Sequence, residues 1–341
     1  MTSTQRLGRH RQDAAAPGGR RRTRRRAAVA VAVALAAVAA AVAVLYVGAG
    51  GRPASGTGAV ARQDGRIALP SRTGSYLGLY PDGVPSSYAG ARAFTAATGV
   101  RPDVVVYYSG WLEPFKAGFA STASRSGAVP LVQINPGGVS ISAIAAGHYD
   151  SYLRSYAAAV RGYGHPVILS FGHEMNGSWY SWAAGHTAPA TFVAAWRHIV
   201  DVFRAAGTPN VTWLWTVNAF QSRAGVPSPR PWWPGDSYVT WVGIDGYYYS
   251  AATKFSSLFG PAVAGVRAWT RKPILITETS ATPAAGQPAK IADLFAGIRL
   301  YGLLGFVWFD NQTNQDWRLT SPAAIAAFRR GAERYRPPTS G

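Results

Sequence analysis

The chain has no cysteine. That absence excludes disulfides, thiolate-held zinc and a cysteine nucleophile together. It does not exclude export, because a domain of this size needs no covalent staples. Acidic residues are scarce too: 15 Asp and Glu stand against 34 Lys and Arg in 341 residues. The net charge of +19 invites a nucleic-acid reading, but no Lys/Arg-rich run recurs after Arg26 and the six His are scattered. No nucleic-acid partner is expected. There is no H-x-x-x-H, no zinc motif and no Gly-rich phosphate loop, so neither a metal nor a nucleotide cofactor is expected.

What remains is apolar and aromatic. Hydrophobic residues make up 48%, enough for a sizeable core. The 12 Trp serve either as core or as flat platforms for ligand stacking.

The basic excess is partly local. Before Ala27, nine Arg against one Asp supply +8 of the +19 and leave +11 for the rest. From Ala27 to Gly51 no residue is charged. About 20 apolar residues span a bilayer core of ~30 Å. An Arg-rich flank stays cytoplasmic. Residues 1–26 therefore read as a cytoplasmic basic tail and 27–49 as a transmembrane anchor. A cleaved signal is the alternative, with Ala41-Val42-Ala43 as the cleavage candidate. Either way the rest is exported, to the outer face of the membrane or beyond it. Residues 50–66, rich in Gly, Pro, Ser and Ala, read as a flexible linker.

From Ser75 onward, β-rich runs alternate with helix-like stretches. The runs are Ser75–Tyr80, Asp103–Ser109, Ala128–Asn135, Val167–Glu174, Val211–Asn218, Tyr238–Tyr247, Ile274–Glu278 and Gly305–Asp310, with a last helix over Pro322–Tyr335. Alternating units imply a parallel sheet. Eight of them over ~270 residues fit a single closed (β/α)8 barrel, placed over 67–337. An open doubly wound sheet would want a phosphate loop after the first strand, and PDGVPSS is none.

Polar residues gather at the strand ends: Asn135, His173, Glu174, Asn218, Asp245, Tyr247, Glu278 and Asp310. In a barrel all these ends share one face, the one that carries active sites. Two of the chain's four Glu, Glu174 and Glu278, end the fourth and seventh strands. Carboxylates there are costly to bury unless paired or functional. Two facing carboxylates suit glycoside cleavage, one held protonated as acid and the other ionised as nucleophile. Asn176, Trp215, Asn218, Asp245 and Asp310 are further pocket candidates by position, while Trp111, Trp232 and Trp233 either extend a cleft or pack.

The stretch Phe171-Gly-His-Glu-Met-Asn-Gly-Ser-Trp-Tyr-Ser-Trp182 resembles the acid/base motif of glycoside hydrolase family 26, and Ile-Thr-Glu278 falls where that family has its nucleophile. The resemblance runs from Ser75 to about Arg336. It implies a (β/α)8 barrel with Glu174 as acid/base and Glu278 as nucleophile. It further implies that His173 bonds near the scissile sugar, Trp179 shapes the cleft, Tyr247 orients the nucleophile and Trp308 is a sugar platform. Trp308 as barrel core is the alternative. Ser170 stands where family members often carry Arg, and Tyr180 beside Trp179 is closer to the β-glucanase members. The implied activity is retaining endo-hydrolysis of a β-1,4-linked polysaccharide, β-mannan or mixed-linkage β-glucan, by a monomer. The same chemistry on an exopolysaccharide and a non-catalytic carbohydrate-binding barrel are the alternatives.

Overall fold

The computed structural model describes residues 61–63, 66–220, 225–313 and 315–335. The expected basic tail, the apolar segment 27–49 and most of the linker lie outside the described residues. Among the described residues no helix is long and apolar enough to cross a membrane. The end of the expected linker carries structure: Ala61–Gln63 and Arg66–Ala68 pair as a small antiparallel ribbon.

Eight strands follow: β1 (Tyr76–Pro81), β2 (Val104–Gly110), β3 (Val129–Asn135), β4 (Val167–Phe171), β5 (Val211–Asn218), β6 (Trp241–Asp245), β7 (Ile274–Thr279) and β8 (Gly305–Asp310). Each pairs in parallel with the next, and β8 pairs with β1, closing the barrel expected from the sequence. The connections carry α1 (Ala89–Thr98), α2 (Ala117–Arg125), α3 (Ile141–Ala145), α4 (Asp150–Tyr163), α5 (Pro189–Ala205), α6 (Phe255–Leu258), α7 (Gly260–Arg267), α8 (Gln287–Leu300) and α9 (Pro322–Tyr335). The alternation fails once. Between β5 and β6 the described residues hold only two short 3-10 turns, Arg230–Trp232 and Asp236–Tyr238. The second turn takes Tyr238 out of the sixth strand, which starts at Trp241.

Strand alternation sorts the core into two layers. Inside the barrel, Tyr76, Val104, Val106, Leu131, Ile168, Leu214, Trp241, Leu275 and Val307 pack on one another. Outside it, residues such as Tyr107, Phe171, Trp215, Phe306 and Trp308 meet the helices. On α5 the buried positions Phe192, Ala195, Trp196, Ile199, Val200 and Phe203 recur at helical spacing and form the face laid on the barrel. Each fully buried large apolar side chain contributes about 1.5–3 kcal/mol, so this double-layered core holds the strand ends in fixed positions.

Candidate active site

The fourth strand ends at Phe171, three residues earlier than the sequence reading placed it. Gly172 then turns left-handed at φ +56°, and a Cβ there would stand 2.8 Å from the Phe192 ring. Only glycine fits both constraints. Glu174 is itself left-handed at φ +54°. Non-glycine residues adopt that conformation at some cost, and such strain concentrates at functional sites. The consequence is that His173 and Glu174 leave the sheet and enter the barrel mouth, with Glu174 N donating to Thr216 O at 3.0 Å.

Glu174 is held from two sides. Asn218 Nδ2, at the end of β5, donates to Oε1 at 2.6 Å. Trp179 Nε1 donates to Oε2 at 2.8 Å. The turn that brings Trp179 back needs Gly177, because a Cβ there would lie 2.4 Å from the indole. Asn176 secures Asn218 in turn. It accepts from Asn218 N at 2.9 Å and donates to Asn218 O at 3.0 Å.

Glu278 reaches the same mouth through a bulge. Leu275 faces the barrel interior, so strict alternation sends Thr277 inward and Glu278 outward. Both neighbours record one extra residue in β7. Ile244 pairs with Ile276 but Asp245 pairs with Glu278, and Phe306 pairs with Ile276 but Trp308 pairs with Thr279. A one-residue slip reverses which face each later side chain meets. Thr277 keeps its inward bond, donating to Asp245 Oδ1 at 2.6 Å, and Glu278 turns inward above it. There Tyr247 donates to Oε2 at 2.8 Å and Tyr108 donates to Oε1.

The electrostatics follow from burial. Glu278 is pushed up to about 8, first by desolvation and then by the charge of Glu174, while the Tyr108 and Tyr247 hydroxyls pull it down. Asp245, wholly buried beneath, is held well above the carboxylate range by desolvation and by the Glu278 and Glu174 charges. Burial lowers His173 to about 3, so its imidazole is neutral at ordinary pH. Its Nε2 lies 3.2 Å from the Tyr180 hydroxyl, and Tyr180 stacks on Trp182 with ring centroids 4.3 Å apart. Desolvation also raises Tyr108, Tyr180 and Tyr247, which stay neutral hydroxyl donors. Two buried carboxyl groups and a ring of neutral hydroxyl and imidazole groups are thus assembled in one mouth. Among the described residues no group of His, Asp and Glu is arranged to hold a metal ion.

The family model for glycosyl hydrolase family 26 matches residues 151–316, a span that includes both carboxylates. Endoglucanase H of Acetivibrio thermocellus is 31% identical over 275 residues, covering 76% of this chain and 30% of that protein. This chain carries a family 26 glycosyl hydrolase domain. β-1,3-Xylanase TXYA of a Vibrio species is 27% identical over 164 residues, covering 44% of this chain and 34% of that protein. The chain thus spans about a third of the length of the curated relatives it matches. Among solved structures, the catalytic domain of the endo-β-1,4-mannanase from Bacillus sp. JAMB-750 superposes with a TM-score of 0.61 at 17% identity, covering 76% of this chain and 86% of that one. At that identity the likeness concerns the barrel alone.

In this family 26 domain the structure gathers Glu174, Glu278, His173, Trp179, Tyr247 and Asn218 at one mouth. Asn176 stands behind Asn218 rather than in the opening. Trp308 is a correction. It is fully buried on the outer face of β8, against Phe328 of α9, and so is barrel core rather than an open platform. Its neighbour Phe309 is the β8 side chain that meets the mouth, 4.4 Å from Tyr80 and 5.8 Å from Tyr247 between ring centroids. The tryptophan beside Tyr247 is Trp317, at 4.7 Å. Trp215 and Trp233 pack edge to face, and Trp232 is buried beside them in the loop before β6. Asp310 accepts from Leu319 N at 2.7 Å and so shapes the loop after β8.

Sequence reading missed Tyr108 and Trp317. Tyr108 carried a signal, since it continues the inward positions of Val104 and Val106. With two adjacent tyrosines, however, the inward one is known only once the register is fixed. Trp317 lies outside any strand pattern and had none.

Proposed function

We propose that this domain is a retaining endo-β-glycosidase acting on a β-1,4-linked polysaccharide, with Glu174 as acid/base and Glu278 as nucleophile. The observation that carries the reading is the opposed support of two electrostatically coupled carboxylates: N–H donors on Glu174, and phenol O–H donors on both oxygens of Glu278. Two carboxylates that feel one another titrate as a pair, so the first proton they take up belongs to the pair rather than to either residue. The upward push of Glu174 on Glu278 exists only while Glu174 is charged. When Glu174 holds the proton, that push vanishes and the two phenols favour Glu278 as the carboxylate.

The first step then balances as follows. A Glu278 oxygen attacks the anomeric carbon, the glycosidic C–O bond breaks, and the leaving oxygen takes the Glu174 proton. In the second step Glu174, now a carboxylate, takes a proton from water as that water's oxygen displaces Glu278. Neutral His173 and Tyr180 are positioned to bond sugar hydroxyls without adding charge.

Mixed-linkage β-glucan and β-mannan are the substrates we favour. The first is supported by the Endoglucanase H relative and by Tyr180 next to Trp179, the second by the mannanase named for the superposed barrel. We also propose that the apolar segment 27–49 exports the barrel, leaving it anchored on the outer membrane face or released, as a monomer.

Product analysis on a panel of β-glucans and β-mannans tests the reading. Glu174→Gln should lose polysaccharide cleavage while sparing aryl glycosides with activated leaving groups. Glu278→Ala should abolish turnover, with azide restoring product of inverted configuration. Wild-type rates in both variants would refute it.

A further inference from the structure

A cavity of about 540 Å³ lies between the loop after β2 and helix α4. Its lining includes Leu112, His148, Tyr149, Ser151, Tyr152 and Ser155. We propose that this cavity is an auxiliary binding site for a neutral β-glycan chain, holding polysaccharide beyond the residues being cleaved. The proposal rests on the reading of the carboxylate pair given above and adds a site to it.

Four observations support it. The first is chemical selectivity. No lining residue is Asp, Glu, Lys or Arg, on a chain whose net charge is +19. A site for phosphate, nucleotide or a uronic-acid polymer would recruit guanidinium or ammonium groups. Aromatic rings with hydroxyls and an imidazole suit an uncharged pyranose instead, which offers an apolar C–H face and hydroxyls at its edge.

The second is a buried polar group. The Trp111 indole, whose ring packs on Tyr149 and Tyr152 of the cavity wall, has an N–H buried without a hydrogen-bond partner among the described residues. A buried donor without a partner is costly unless a ligand or water completes it.

The third is the link through β2 to the catalytic mouth. Trp111 follows the last residue of β2 and lies three positions after Tyr108, which donates to Glu278. Its ring meets Tyr149 at 5.5 Å and Tyr152 at 5.2 Å on the cavity side, and Phe171 of β4 at 5.8 Å on the barrel side. The indole thus packs between the cavity wall and the outer face of β4, on the loop that continues the strand whose Tyr108 enters the mouth.

The fourth is local strain. Leu112 is left-handed at φ +70° and leaves its side chain 57% exposed at the cavity rim. A bulky non-glycine side chain in that conformation is disfavoured and marks a loop held in shape by its surroundings. Tyr152 provides the hold by donating to Glu113 O at 3.1 Å.

The test uses the full chain in native gels containing soluble mixed-linkage β-glucan or β-mannan, with α-linked dextran as control. Ser155 is exposed on α4, so Ser155→Trp fills the cavity from outside the core. Tyr149→Ala removes one aromatic wall and covers the case in which the first variant misfolds. The expected result is at least a five-fold loss of retention by the β-glycan gel in either folded variant. A matching fall is expected in the ratio of kcat/KM on polymer to kcat/KM on a short aryl glycoside. Retention equal to wild type in folded variants, or an unchanged ratio, overturns the proposal. A wild type that cleaves no β-glycan would instead overturn the carboxylate reading, and gel retention would still judge the cavity separately.

Discussion

Trp179 and Glu174 are joined by one hydrogen bond, Nε1 to Oε2 at 2.8 Å, made across a tight turn of five residues. The indole is 42% exposed, so its place is fixed by that bond and by the space at Gly177 rather than by burial. Removing the donor while keeping the ring isolates its effect. A hydrogen bond to a charged group is worth about 1.5–3 kcal/mol, or roughly 10–100-fold. Trp179→Phe should lower kcat on polysaccharide by about that factor with little change in melting temperature, as steady-state kinetics and calorimetry will show.

Tyr108 and Tyr247 each stabilise the charged form of Glu278. Deleting either hydroxyl leaves desolvation less opposed, so the carboxylate becomes harder to ionise. The acid limb of the pH–rate profile reports ionisation of the nucleophile. Tyr108→Phe and Tyr247→Phe should each move that limb to higher pH and reduce kcat. A limb that stays in place would show that the phenols do not support the charge.

Burial also links Glu278 to stability. Its folded pKa of about 8 lies above the usual 4.5, so the folded chain binds more protons than the unfolded chain between those values. Stability associated with this group is therefore fully present below pH ~4.5 and is lost as pH rises through about 8. Glu278→Gln, neutral at every pH, should escape that loss. The variant's melting temperature should exceed that of wild type at pH 8 by more than it does at pH 5. The opposite trend would show that the two phenols outweigh desolvation and the Glu174 charge at Glu278.

Trp308 separates packing from recognition. Placed against Phe328 and fully buried, it should behave as core. Trp308→Phe should cost about 1–3 kcal/mol of stability, a fraction of the ~3–5 kcal/mol expected for complete truncation to Ala. KM on polysaccharide should hold. A variant of unchanged stability and much higher KM would restore the platform role.

Much of the barrel was legible beforehand, for a physical reason. Buried parallel strands demand short β-branched or aromatic runs, and the helices between them demand a repeating apolar face. Val104–Val106 and Phe192–Phe203 satisfy those demands openly. The fifth connection was less legible, because a stretch dominated by Pro and Trp has no periodicity to betray its short turns. The outer and inner faces of β8 were also ambiguous. Trp308 and Phe309 are adjacent aromatics, and only pairing with β1 and β7 decides which of them looks into the mouth.

Alone, the sequence determined that eight strands alternate with connections, that Glu174 and Glu278 end two of them, and that Gly172 and Gly177 bracket the first carboxylate. These are local properties of residue type and spacing. Tertiary structure decided where the carboxylates point and what holds them. The extra residue in β7 turns Glu278 inward, and Tyr108 reaches it from a strand 170 positions away. A bulge is defined by register between strands, and register comes from packing the closed barrel as a whole, so no reading of one strand by itself contains it.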